Sequence, residues 1–194
     1  MTTEPYRLKA HALHWLRFDR QLPYIATEYG SFSSDVIGAS RDRMIEMEVK
    51  VSVSDLARES TATTKKWKHS QYLRGEQDES NIWRFIPNHF YFLVPPELKD
   101  HAIEEAGRLN PKYGVAICNP LGVFVVKQAR RIHSAKPNQE ILDNIVLRLS
   151  SELVSMSMLK HKIDDACEFV KEYVNKIVEN PFPEPTLQEI EEHL

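Results

Sequence analysis

The clearest pattern in the chain is a strict alternation from Met44 to Ser52. Ile45, Met47, Val49 and Val51 fall on one side, and Glu46, Glu48, Lys50 and Ser52 on the other. A period of two belongs to a β-strand, so the stretch predicts a half-buried strand with one apolar face. Residues 22–29 and 32–38 predict two further strands, the three being antiparallel. Phe90 to Val94 is a continuous apolar run closed by Pro95-Pro96, as in a buried central strand. Val115–Cys118 and Val123–Val126 flank Asn119-Pro120-Leu121-Gly122, a hairpin turn. Helical spacing of Leu8, Ala12, Trp15 and Leu16 predicts a first helix from Pro5 to Phe18. Others are predicted from Asp55, capped by Ser54, then from Lys65 to Leu73, and from Pro96 to Leu109. Strands with interspersed helices predict an α/β fold, a central mixed β-sheet flanked by helices.

From Pro137 the pattern changes. No glycine follows Gly122, and apolar residues from Ile141 through Leu149, Met156, Ile163 and Val170 to Ile177 recur at helical steps. This predicts a long C-terminal helical extension, either one helix or two with a break near Ser155–Ser157. It would pack on the sheet layer or pair with a second copy as a homodimer through a coiled-coil-like seam. The predicted organisation is residues 1–136 as an α/β core, 137–180 as the helical segment and 181–194 as an acidic tail. Met156 and Met158 read as packing residues, and His161 with Asp164-Asp165 as a solvated face.

At 194 residues the chain is long enough for one sizeable core. Its 42% hydrophobic and 27% charged content is ordinary for a soluble globular protein. No apolar run approaches the ~20 residues of a membrane span, and the N-terminus has no secretory pattern. Cys118 and Cys167 suggest no disulfide framework or zinc spacing, and fit buried thiols in a cytoplasmic protein. The net charge of −3 means that nucleic-acid contact would have to come from local patches.

Candidate chemistry begins on the polar side of the alternating strand. Glu48 and Lys50 project the same way, about 6.5 Å apart along it. A hairpin from Asp35-Val36-Ile37 into this strand would bring Asp35 beside them. Two carboxylates and a lysine suit metal-assisted phosphodiester hydrolysis: hard oxygens hold Mg²⁺ or Mn²⁺, and the lysine positions water or stabilises charge on phosphate. The same spacing also occurs as a weak surface ion pair. Glu46 shares the face and stands as an alternative ligand.

Two basic patches accompany this site. Residues 60–75 hold Lys65, Lys66, Lys68, His69 and Arg74 without an acid, with Trp67 and Tyr72 interleaved. The lysines are expected to face phosphate and Trp67 the core. Residues 127–136 hold Lys127, Arg130, Arg131, His133 and Lys136, again without an acid, and read either as a second phosphate contact beside the same cleft or as a basic surface loop. Glu76-Gln77-Asp78-Glu79 reads as an exposed acidic loop.

Several ordered segments resemble the PD-(D/E)XK, or restriction-endonuclease-like, superfamily, and more closely its small MmcB-type and phage-borne nucleases. They are Thr27-Glu28, Asp35-Val36-Ile37, Glu46 to Ser52, Asp55-Leu56, Lys66-Trp67-Lys68-His69 with Tyr72, Pro87 to Pro95, Tyr113 to Ile117, and Val126-Lys127-Gln128-Ala129 with His133. Ser34 stands where the superfamily name has proline, and the interval from Asp55 to Lys66 is longer than expected. The resemblance implies a restriction-endonuclease-like core and roles for individual residues. Asp35 and Glu48 would be metal ligands, with the Val49 carbonyl a third, Lys50 the catalytic lysine and Glu28 an accessory acid. It implies a Mg²⁺- or Mn²⁺-dependent deoxyribonuclease, an endonuclease rather than an exonuclease, with DNA as partner and a place in phage biology or DNA repair. The rival expectation is a non-catalytic nucleic-acid- or protein-binding module on the same fold. A further one is a structural phage or plasmid protein that binds through its C-terminal helices.

Overall fold

The computed structural model describes residues 5–30, 34–74 and 86–179. The predicted acidic loop at 76–79 and the tail at 181–194 lie outside the described residues. The fold is α/β, with one six-stranded mixed sheet laid down in chain order. Strands β1 (Tyr24–Tyr29), β2 (Ser34–Ala39) and β3 (Met44–Val49) form an antiparallel meander. β4 (His89–Val94) and β5 (Gly114–Asn119) run parallel to β3. β6 (Gly122–Lys127) returns antiparallel to β5 as a hairpin edge.

The parallel steps require crossovers, and helices supply them. α2 (Val53–Thr61) and α3 (Thr63–Arg74) lead from β3 to β4, and α4 (Lys99–Leu109) from β4 to β5. α1 (Pro5–His14) continues into a π-helical turn, Trp15–Asp19, where the sequence predicts regular helix to Phe18. Leu8, Ala12, Trp15 and Leu16 from this segment pack with Val36, Ile45, Met47, Val49, Tyr91 and Leu93. Gly38 permits the close approach, since a Cβ there would lie 2.9 Å from Leu22 Cδ1 and 3.2 Å from Leu16 Cβ. Leu56, Tyr72, Leu98, Ala102 and Ala106 from α2, α3 and the Pro96–Leu109 segment pack with Phe90, Phe92, Val94 and Val115.

β3 is therefore covered on both faces, and all six of its residues are buried. It is not the half-buried strand that the alternation predicts. A strand flanked by a parallel neighbour and by helices on either side has no solvent face, so its glutamates are buried too. α2 begins two residues earlier than predicted, because Ser52 rather than Ser54 caps it, in extended conformation and accepting from Asp55 N at 3.1 Å.

By contacts the chain divides into two compact units, residues 1–150 and 151–194. α5 (Gln139–Glu179) is one continuous helix with no break at Ser155–Ser157. The Ser155 hydroxyl donates to Ser151 O at 2.9 Å, the back-bond that accommodates serine in a helix. In the first unit Ile141, Leu142 and Ile145 pack with Ala26, Ile37, Ala39 and Met44. In the second, Leu153, Val154, Met156, Met158, Leu159, Ile163 and Val170 are exposed. No helix among the described residues is long and apolar enough to cross a membrane. Cys118 is buried, while Cys167 is exposed rather than buried as expected.

Candidate functional site

The end of β3 gathers the chemistry. In the β2–β3 register Ile37 stands opposite Glu46, so Asp35, two residues further toward the strand end, reaches the level of Glu48. The β1–β2 pairing runs through Thr27 and Val36, then Tyr29 and Ser34, passing over Glu28 and Asp35. Glu28 occupies the left-handed region at φ 48°. The freed Asp35 carboxylate accepts from Val49 N at 2.9 Å through Oδ2 and pairs with Lys9 at 2.8 Å through Oδ1. Burial raises the Asp35 pKa, and the neighbouring charge of Glu48 raises it further; Lys9 and Val49 N–H offset this only in part. Glu28 pairs with Lys9 at the partly exposed margin.

Glu48 is buried and surrounded by ammonium groups. Lys50 Nζ lies 3.2 Å from its Oε1, Lys65 also pairs with Oε1, and Lys68 Nζ lies 2.8 Å from Oε2. Burial alone would raise the Glu48 pKa, but Lys68, Lys50 and Lys65 outweigh it and hold the carboxyl well below its usual range. Lys68 is equally enclosed and lies 2.5 Å from Glu46 Oε1. Burial works against its charge, yet Glu46 and Glu48 prevail and raise its pKa far above the usual lysine value. Tyr72 donates to the other Glu46 oxygen at 2.7 Å.

A third glutamate completes the layer. Glu59 Oε1 lies 2.7 Å from Lys50 Nζ, and its Oε2 is 2.7 Å from His69 Nε2. His69 Nδ1 lies 2.8 Å from the Tyr113 hydroxyl. Lys50 is thus joined through Glu59 and His69 to a buried tyrosine. Glu48 and Glu59 overcome burial to raise the Lys50 pKa. Asp55, at 3.8 Å from Lys50, stands at the margin.

The structure sorts the predicted basic residues. Lys68 and His69 were expected to face phosphate, but point into the protein because they have carboxylate and hydroxyl partners there. Trp67, expected in the core, is turned outward and half exposed. Lys66 is exposed, and Lys65 reaches the site from α3. Lys127 is level with Glu48 through the Phe92 and Val115 pairings, but three strands away on β6. Arg130 and Arg131 are exposed in the segment that leads back toward the start of β4, where Ile132 N donates to Asn88 O. These three do not join the Asp35–Glu48 cluster. Sequence reasoning missed Lys9, Glu59 and Tyr113. The one sequence signal for Glu59 is its position three residues after Leu56 on the inward face of α2.

Asp35, Glu48 and the Val49 carbonyl would offer Mg²⁺ three hard oxygens, a number that it uses with water and substrate completing the shell. No group of three or more His, Cys, Asp or Glu side chains among the described residues is placed to hold a metal. The donor chemistry fits, on the condition that Glu48 Oε1 is released by the ammonium groups that engage it. His161 and Asp165, 3.2 Å apart on exposed α5, form a surface pair one turn apart.

No family model matches the chain, and no curated protein does. Among solved structures, the SPO1766 protein of unknown function from Silicibacter pomeroyi is similar. It has a TM-score of 0.53 and 14% identity, over 84% of this chain and 96% of that one, and the likeness is one of fold.

Proposed function

We propose that this protein is a metal-dependent nuclease, an endonuclease acting on DNA phosphodiesters, with Asp35, Glu48 and Lys50 as its site. The observation that carries the reading is the meeting of these groups at one end of the sheet. Asp35 feels the charge of Glu48, and Lys50 lies 3.2 Å from the same carboxylate. The resemblance to the PD-(D/E)XK superfamily through the same residues supports it. Mg²⁺ or Mn²⁺ held by Asp35, Glu48 and the Val49 carbonyl would supply a water of lowered pKa and neutralise phosphate charge. Lys50 orients the attacking water and stabilises charge developing on phosphate. Glu59 fixes the Lys50 ammonium from behind. Lys66, Arg130 and Arg131 offer exposed charge for the DNA backbone.

The test is incubation of purified protein with plasmid, linear and branched DNA, with and without Mg²⁺ or Mn²⁺. Lys50→Ala should abolish cleavage and leave DNA affinity within about three-fold, because the lysine acts on the reacting phosphate alone. Metal-independent cleavage, or full activity in Lys50→Ala, would refute the assignment. The second reading, a non-catalytic binding module, draws on the full engagement of Glu48 by lysines. Metal-independent DNA binding with no cleavage of any substrate favours it.

A further inference from the structure

Glu48 has three ammonium partners, and they are not equivalent. Lys68 is enclosed and shared with Glu46, while Lys50 is nearly as buried and lies 2.7 Å from Glu59. Either would leave Glu48 only to strand a charge in the interior or break a second pair, which is costly. Lys65 differs. Its side chain is 25% exposed against 6% for Lys50 and 1% for Lys68, and its other carboxylate contact, Glu59, is a looser 3.5 Å. It can withdraw into water without leaving an unpaired ion behind.

The surrounding charge admits a divalent cation. Glu28, Asp35, Glu46, Glu48, Asp55 and Glu59 face Lys9, Lys50, Lys65 and Lys68, an excess of two negative charges that such an ion would neutralise. The ion and the Lys65 ammonium would compete for the same Glu48 oxygen, Oε1. We propose that Lys65 is an internal counter-ion for Glu48, which a divalent cation displaces on entering between Glu48 and Asp35. The displaced ammonium then stands at the rim of the site, where a phosphodiester oxygen is its next partner. Lys65 thereby couples occupancy of the metal position to capture of substrate. This deepens the nuclease reading and rests on it.

The experiment measures Mn²⁺ binding by calorimetry and electron paramagnetic resonance, without nucleic acid. It compares the wild type with Lys65→Met, Lys65→Arg, Lys66→Met and Glu48→Gln. Lys65→Met removes the competing charge at nearly constant length, so it should bind Mn²⁺ at least about ten-fold more tightly than the wild type. Lys65→Arg keeps the competitor and should stay near the wild type, as should Lys66→Met on the exposed side of α3. Glu48→Gln should abolish the site. Equal or weaker binding by Lys65→Met, alongside wild-type binding that Glu48→Gln abolishes, overturns the counter-ion role and leaves the metal reading standing. Binding that survives Glu48→Gln places the ion elsewhere and overturns both. So does the absence of binding in every protein, Lys65→Met included.

Discussion

Replacing Lys68 by methionine tests the buried charged layer directly. The side chains are similar in length, so the change removes an ammonium without opening a large cavity. In the native protein that ammonium lies 2.5 Å from Glu46 and 2.8 Å from Glu48, with 1% of the side chain exposed. Removing one member of a buried ion pair costs about 3–5 kcal/mol, because the partner is left charged and unpaired. Two carboxylates are affected here, but Glu48 keeps Lys50 and Lys65, and Glu46 keeps the Tyr72 hydroxyl. A loss of about 4 kcal/mol follows, or a fall in Tm of about 8–16 °C for a unit of this size. Circular dichroism melts and urea titrations at neutral pH measure it.

The pH dependence has a definite sign. Glu48 has a depressed pKa in the folded state, so its contribution is present above its ordinary 4.5 and lost as pH falls through the folded value. Lys68 has a raised pKa, so its contribution is complete below its ordinary 10.5 and lost as pH rises beyond it. The gap between wild type and Lys68→Met should therefore be widest near neutrality and narrow toward both extremes. Adding Glu46→Gln to Lys68→Met should recover part of the loss, since it removes the carboxylate that was orphaned. A Lys68→Met protein melting within about 2 °C of wild type at neutral pH would refute the described pairing.

Two further outcomes are expected. Arg130→Glu with Arg131→Glu should weaken DNA binding and reduce the slope of log affinity against log salt by about 2, since fewer counterions are released; fluorescence anisotropy at several salt concentrations checks this, and an unchanged slope removes the segment from the DNA surface. Leu149, Met156, Ile163, Val170 and Ile177 recur at intervals of seven along α5, the period of a coiled-coil seam, so light scattering should give about twice the 22.5 kDa chain mass and Ile163→Asp should return it to that of one chain; a wild-type mass of one chain would sink the dimer.

Much of the fold was legible because it is written in periods. The alternation of Met44–Val49, the apolar run at Phe90–Val94 and the turn before Gly122 each locate a strand of the observed sheet. What the alternation does not carry is which face meets water. Glu46 and Glu48 look solvent-facing until α3 supplies Lys65 and Lys68 from some twenty residues away. The phase of α3 is hidden in the sequence for the same reason. Its inward stripe is Lys65, Lys68, His69 and Tyr72, while the outward position goes to Trp67, so hydrophobicity points the wrong way round the helix. Spacing of three, four and seven marks that stripe, but only the carboxylates of β3 and α2 reveal why it is buried. Glu59 has no local signature beyond its place on α2, because its partners are Lys50 on one side and His69 on the other.

The charged layer beneath α3 also bears on how the chain finds its fold. Sheets of apolar strands tolerate near-equivalent alignments shifted by one residue. β3 has no such alternative. A one-residue slip would turn Glu46 and Glu48 toward Leu8, Ala12 and Leu16, away from Lys65 and Lys68 on α3, and would set Met47 and Val49 against Lys68. Each stranded carboxylate costs several kcal/mol. The layer therefore acts as a proofreading device on strand alignment. Because the six strands are laid down in chain order, an alignment fixed at β3 propagates outward through β2 on one side and β4 on the other.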